Sequence, residues 1–170
     1  MKTSGKKPAI YLDTTIVSSY WYEGSDVLAL GRRFATRDWW DTERGHFALW
    51  ISSVTMDELS AGVYPRQAEA IAMARRLRFL PVLGEIQQFA EELLRRHVVP
   101  DTKPGDALQM AIAAVHRIDY LLTWNYAHLA NPIAQAHLEE SCENAGLRVP
   151  LLVSPETIPR VALGQTIRRK

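Results

Sequence analysis

The chain has 170 residues, 47% of them apolar and 23% charged, with a formal net charge of +1. That length can bury a sizeable core in one domain, and that composition excludes a disordered chain. The near-neutral balance provides no global field for nucleic acid, so such a partner must be held by local basic patches.

Cys142 is the lone cysteine, which excludes an internal disulfide and a thiolate metal cluster and agrees with a reducing cytoplasm. The basic start MKTSGKKPAIYLD has too short an apolar run before Asp13 for a signal sequence. The run MAIAAV at 110–115 is far below a membrane span, so a soluble, cytoplasmic protein is expected. With no repeat and no low-complexity linker, one domain over 1–170 is expected, its core about 9–153 and its tails, 1–7 and 160–170, solvated.

AIYLD (9–13) reads as a short buried strand ending in a charge. Residues 26–43 place Leu30, Phe34 and Trp40 at helical intervals; Trp39 and Trp40 cannot both face one helix side, leaving one for an interface. FALWISS (47–53) is a second strand, followed by a helix over VTMDELSAG that Gly62 stops. Residues 66–78 are helical in pattern, and FLPVL (79–83) holds a short strand interrupted by Pro81. Residues 84–96 form an amphipathic helix that turns Ile86, Phe89, Ala90, Leu93 and Leu94 inward. KPGDALQMAIAAVHRI is another helix with Pro104 in its first turn. DYLLT is a strand, 132–145 a helix and VPLLV (149–153) a last strand. Apolar strands alternating with helices imply an α/β fold: a three-layer α/β/α sandwich around a mainly parallel sheet of four to five strands. Ligands of such sheets bind beyond the carboxyl ends of the strands, where the topology reverses.

Three acids follow apolar stretches in a way that suits such an edge. Asp13 closes the first strand and is followed by Thr14 and Thr15, and its plain alternative is a helix cap. Glu58 lies early in a helix, where Thr55-x-x-Glu58 also satisfies a capping box; Asp57 is a rival that spacing does not exclude. Asp106 falls in a first helical turn, where an acid gains roughly 0.3–1 kcal/mol from the helix dipole. Asp119 precedes its strand and belongs at the opposite edge, about 15 Å from Asn125. If Asp13, Glu58 and Asp106 meet, each pair at about 4 Å costs on the order of 4 kcal/mol at an effective dielectric near 20. A cation or a raised pKa would relieve that repulsion. Oxygen ligands without cysteine suit Mg2+ or Mn2+, ions that activate water and neutralise charge on a phosphodiester.

IYLDTT, ISSVTMDEL, GDALQMAIA and DYLLTWN occur in the order found in PIN-domain nucleases, and the chain most resembles the VapC-type toxins of bacterial toxin–antitoxin pairs over residues 9–153. The resemblance implies a PIN-like fold and a metal-dependent ribonuclease. It places the family's acids on Asp13, Glu58 and Asp106 as metal ligands and catalytic residues, choosing Glu58 over Asp57. The fourth acidic position falls on Asn125, and the polar residue two before it is Thr123; Thr14 and Thr123 are supporting residues. An amide at 125 lowers the site from four charges to three, so one ion is expected to be well held and a second weakly. RNA as substrate, a cognate antitoxin and a homodimer are further implications of the resemblance.

Among substrate contacts, Lys103 and the arginines at 66, 75, 76 and 78 are candidate phosphate ligands, although a solvated helix face is the plainer role for most. Trp124 and Tyr126 flank Asn125, and one of them is a candidate to stack on a base, with core packing as the plainer role for Trp124. His128 is a candidate to orient a phosphate or to bond within its loop. A phosphatase of this topology would need Asp-x-Asp where the chain has Asp13-Thr14-Thr15, and a receiver would need a lysine where it has Thr-Trp-Asn. A nucleotide-binding Rossmann domain lacks its Gly-rich loop. A non-catalytic RNA- or protein-binding module of the PIN type remains the second reading, motivated by Asn125.

Overall fold

A computed structural model describes residues 7–161 and 164. Most of the two expected tails, residues 1–6, 162, 163 and 165–170, lie outside the described residues. The described ends are tied down: Lys7 donates to the Gly45 carbonyl at 2.6 Å, and Arg160 to Asp38 at 2.7 Å.

Among the described residues five strands form one parallel sheet: β1 (Ala9–Leu12), β2 (Ala48–Ser52), β3 (Arg78–Leu80), β4 (Tyr120–Leu122) and β5 (Leu151–Val153). Their order is β3-β2-β1-β4-β5. In register, Tyr11 lies beside Trp50 on one flank and Leu121 on the other. Side-chain alternation along the strands feeds two cores. Ile10, Leu12, Tyr120 and Leu122 join one cluster, while Tyr11 and Leu121 join the other.

The first cluster is covered by α1 (Thr14–Tyr20), α2 (Val27–Thr42), α3 (Ser53–Ser60) and α4 (Gln67–Ala74). The second is covered by α5 (Gly84–Arg95), α6 (Pro104–Val115) and α7 (Pro132–Ala145). The expected three layers are therefore present, with all five strands parallel.

Two packing expectations need correction. Trp39 and Trp40 are both buried, at 0% and 7% exposure, because the chain around the end of α2 closes over both. Trp39 packs against Phe47 and Trp40 against Tyr20, with ring centroids 6.1 and 5.9 Å apart. Neither is left for an interface. Phe34, expected to face inward, is exposed and lies under the Arg33 guanidinium.

Helix starts show which side-chain oxygens are spent on capping. Asp26 accepts from the Ala29 N–H at 2.8 Å, and Asn131 from the Ala134 N–H at 2.9 Å. Asp13 occupies the same position before α1 but makes no such bond. Its carboxylate is directed elsewhere.

Candidate active site

The strand order reverses between β1 and β4, and this is where a parallel sheet opens a crevice at its carboxyl edge. Asp13 follows the last residue of β1, and its N–H donates to the Leu122 carbonyl of β4 at 3.1 Å. Thr123 follows β4, so the two side chains emerge side by side. The Thr123 hydroxyl donates to Asp13 Oδ2 at 2.6 Å, and Thr15 donates to the same oxygen at 2.6 Å. A third donor, the Gln109 amide, reaches Asp13 Oδ1 at 2.7 Å. Asp13 is 3% exposed, and its hydrogen bonds fix its orientation.

Glu58 comes from α3, which starts directly at the carboxyl end of β2. The capping box does not form. Thr55 is buried inside the helix and donates to the Leu12 carbonyl at 3.2 Å. Glu58 instead accepts from Thr14 and, at 3.2 Å, from the same Gln109 amide that binds Asp13. Asp57 is exposed and joins none of these bonds. Gly105 at the start of α6 permits the close approach, since a Cβ there would stand 3.1 Å from Glu58 Oε1.

Asp106 lies in the first turn of α6, after Pro104. Asn125 Nδ2 donates to both its oxygens at 3.3 Å. Asn125 Oδ1 accepts the His128 N–H at 3.1 Å, so the amide presents its nitrogen to Asp106.

The electrostatics tie the three acids together. The Glu58 carboxyl is pushed up, chiefly by partial desolvation and further by Asp13 and Asp106, while the Thr14 hydroxyl pulls it down. Asp106 is also pushed up, by desolvation and then by Asp13; His128, Asn125 and Lys103 oppose the shift. A carboxyl raised on folding holds its proton longer in the native state than in the unfolded chain. The metal-free protein is therefore expected to lose stability as pH rises from the ordinary carboxylate range through these raised values, and to recover it on acidification. Denaturant midpoints across roughly pH 4 to 8 measure this, and Asp106→Asn should flatten the curve without lowering stability at neutral pH.

The donor chemistry is of the kind that a hard cation takes. It is entirely oxygen on the acid side, it is mutually repulsive, and it keeps lone pairs open. Among the described residues no hydrogen bond engages Glu58 Oε1. Among the described residues no three His, Cys, Asp or Glu side chains form a group that could hold a metal ion as they stand, so a cation here would draw on fewer of the acids together with water or substrate oxygens. An incomplete shell suits Mg2+, which keeps several waters and binds through one or two carboxylates plus substrate oxygens.

Other expected contacts separate clearly. Trp124 is a core residue, 3% exposed, with its indole N–H donating to Thr36 at 2.8 Å. Its face is not available to a base; Tyr126, at 38% exposure, is the aromatic beside Asn125 that reaches solvent. Trp124→Phe should cost about 1 kcal/mol in a denaturant titration and leave catalysis in place. Lys103 is exposed at the start of α6, near enough to lower the Asp106 carboxyl. Arg66 is engaged by Glu69 at 3.1 Å and stacks on Trp21; Arg78 stacks on Trp50 at the amino end of β3, away from the acids. Asp119 is at that opposite edge too, accepting from the Ala9 N–H and from Arg148.

Sequence reasoning missed Gln109 and undervalued Thr15. The available signal for Gln109 was a polar amide one turn beyond Asp106, on an otherwise apolar stretch of helix. A third omission is Arg32 on α2, whose guanidinium lies over the Trp124 and Tyr126 rings at 5.8 and 6.0 Å.

No protein-family model matches the chain, and no curated protein matches it. Solved structures do. The Mycobacterium tuberculosis toxin VapC20, described as cleaving the sarcin-ricin loop, aligns with a TM-score of 0.54 at 21% identity, covering 75% of this chain and 94% of the toxin chain. A toxin–antitoxin complex from Klebsiella pneumoniae aligns with a TM-score of 0.52 at 17% identity, covering 74% of this chain and 93% of its own. The fold is PIN-like. The PIN-like sheet accounts for the placement of Asp13 and Thr123 side by side, since adjacent parallel strands end together at its switch point. Among the described residues of this PIN-like chain, no helix is long and apolar enough to cross a membrane.

Proposed function

We propose that the chain is a Mg2+- or Mn2+-dependent endoribonuclease that hydrolyses RNA phosphodiester bonds, acting in the cytoplasm as the toxin of a toxin–antitoxin pair. The observation that carries this reading is the convergence at one sheet edge of three acids from distant parts of the chain. Asp13 and Glu58 share one amide donor, and Asp106 raises the Glu58 carboxyl. The likeness of fold to a sarcin-ricin loop cleaving toxin and to a toxin–antitoxin complex supports the substrate class and the partner.

In this reading Asp13, Glu58 and Asp106 hold the ion. When bound, the ion lowers the pKa of water and offsets negative charge on the scissile phosphate. Thr15 and Thr123 orient Asp13, and Thr14 orients Glu58. Asn125 holds Asp106, Lys103 supplies positive charge beside it for an incoming phosphate, and His128 is a second candidate phosphate contact. Of the two aromatics that flank Asn125, the exposed Tyr126 takes the stacking role. A small antitoxin protein and a second copy of the chain are the proposed protein partners.

The test is cleavage of a panel of structured RNAs, including a sarcin-ricin hairpin, with Mg2+, with Mn2+ and with chelator. Cutting is expected only with metal; cutting that persists in chelator contradicts the proposal. The second reading, a non-catalytic binding module, draws on the amide that Asn125 presents to Asp106. It requires RNA binding that is indifferent to Mg2+ and to loss of Asp13.

A further inference from the structure

Gln109 is 1% exposed, on the same face of α6 as Asp106 and one turn along. Its Nε2 stands 2.7 Å from Asp13 Oδ1 and 3.2 Å from Glu58 Oε2. Its Oε1 is buried with no hydrogen-bond partner. Reversing the amide would turn that oxygen against two carboxylates, so the N–H2 group is the one that faces them. A buried acceptor without a donor is unfavourable, and it is tolerated here because both amide hydrogens bind carboxylate oxygens.

A partly positive donor between two carboxylates occupies the kind of position a cation would take. We propose that Gln109 is an uncharged stand-in for the metal ion: in the metal-free protein its amide holds Asp13 and Glu58 together, and an arriving ion has to displace it. The proposal rests on the metal-site reading above and adds to it a competitor built into the fold. Gln109 is on this account a positioning residue of the metal-free state and not a ligand. Its removal has opposite effects on the two states. Without the amide, the two carboxylates lose the donor they share and repel each other more strongly; with the ion bound, nothing is lost and a competitor is gone.

Gln109→Met keeps the side-chain volume and removes the donor. In the full chain it should lower the metal-free melting temperature and tighten Mn2+ binding by about tenfold, the equivalent of one charge-assisted hydrogen bond, as measured by isothermal titration. In a Glu58→Gln background the same change should have little effect on Mn2+ affinity, because the pair that the amide bridges is gone. Weaker or unchanged Mn2+ binding in a folded Gln109→Met protein overturns the proposal. Proton–nitrogen NMR of the wild-type side-chain amides gives a second test that does not depend on the variant folding. Saturating Mg2+ should move the Gln109 N–H2 resonances and speed their exchange with water. If backbone resonances around Asp13 and Glu58 shift while the Gln109 amide stays still and protected, the stand-in role is overturned. If Mg2+ shifts no resonance near these acids, the metal-site reading fails and the stand-in role with it.

Discussion

Asp106→Asn is expected to lower Mg2+-dependent RNA cleavage by about a hundredfold or more, since loss even of a group supporting a metal ligand costs about 10- to 100-fold. The variant is well suited to this test because the change removes charge where the native fold is strained by charge. Asp106 is pushed toward its protonated form by desolvation and by Asp13, so the metal-free protein should be as stable as wild type or more so. A loss of stability above about 2 kcal/mol would show instead that Asp106 serves the start of α6. Asp13→Asn should be equally inactive but structurally less quiet. The Thr15, Thr123 and Gln109 donors all converge on its carboxylate, and an amide nitrogen there would face at least one of them donor to donor. Comparing cleavage rates with denaturant midpoints for both variants separates lost chemistry from lost fold.

Trp39→Ala carries the largest expected effect on stability. Trp39 is fully buried where the end of α2 meets Phe47 and Trp40, and truncation of such a residue costs about 3–5 kcal/mol. Trp39→Phe should cost much less than this. The Trp39 indole Nε1 is buried without a hydrogen-bond partner, so phenylalanine removes an unsatisfied donor along with part of the ring and offsets some of the cavity. Urea midpoints for the two variants check the order. Equal losses would mean that ring volume alone governs the site.

The elements were legible because their patterns are local. The apolar run AIYL before Asp13 and the inward stripe of Ile86, Phe89, Ala90 and Leu93 appear in the structure as β1 and α5. The acids were legible as strand-end and helix-start residues, and the likeness to a toxin family ordered them. What the sequence hid depends on contacts between distant segments. Thr55-x-x-Glu58 has the spacing of a capping box, but Thr55 turns to the Leu12 carbonyl on the neighbouring strand, 43 positions away. Trp39 and Trp40 are adjacent on a helix and would diverge on an open surface; both are buried because the chain wraps the helix end. Gln109 reads as an isolated polar residue on an apolar helix until Asp13 and Glu58, from two other elements, are brought within reach of it. Asn125 shows the same limit: its identity was visible, but which end of its amide would face Asp106 was set by the His128 N–H.

Whether one hard cation is held where Asp13, Glu58 and Asp106 converge, as proposed, is tested directly by Mn2+ anomalous diffraction from soaked crystals. A single strong peak is expected among these carboxylates, at about 2.1 Å from at least two of their oxygens. A protein that takes up Mn2+ only elsewhere, or shows no peak at saturating Mn2+, would contradict it.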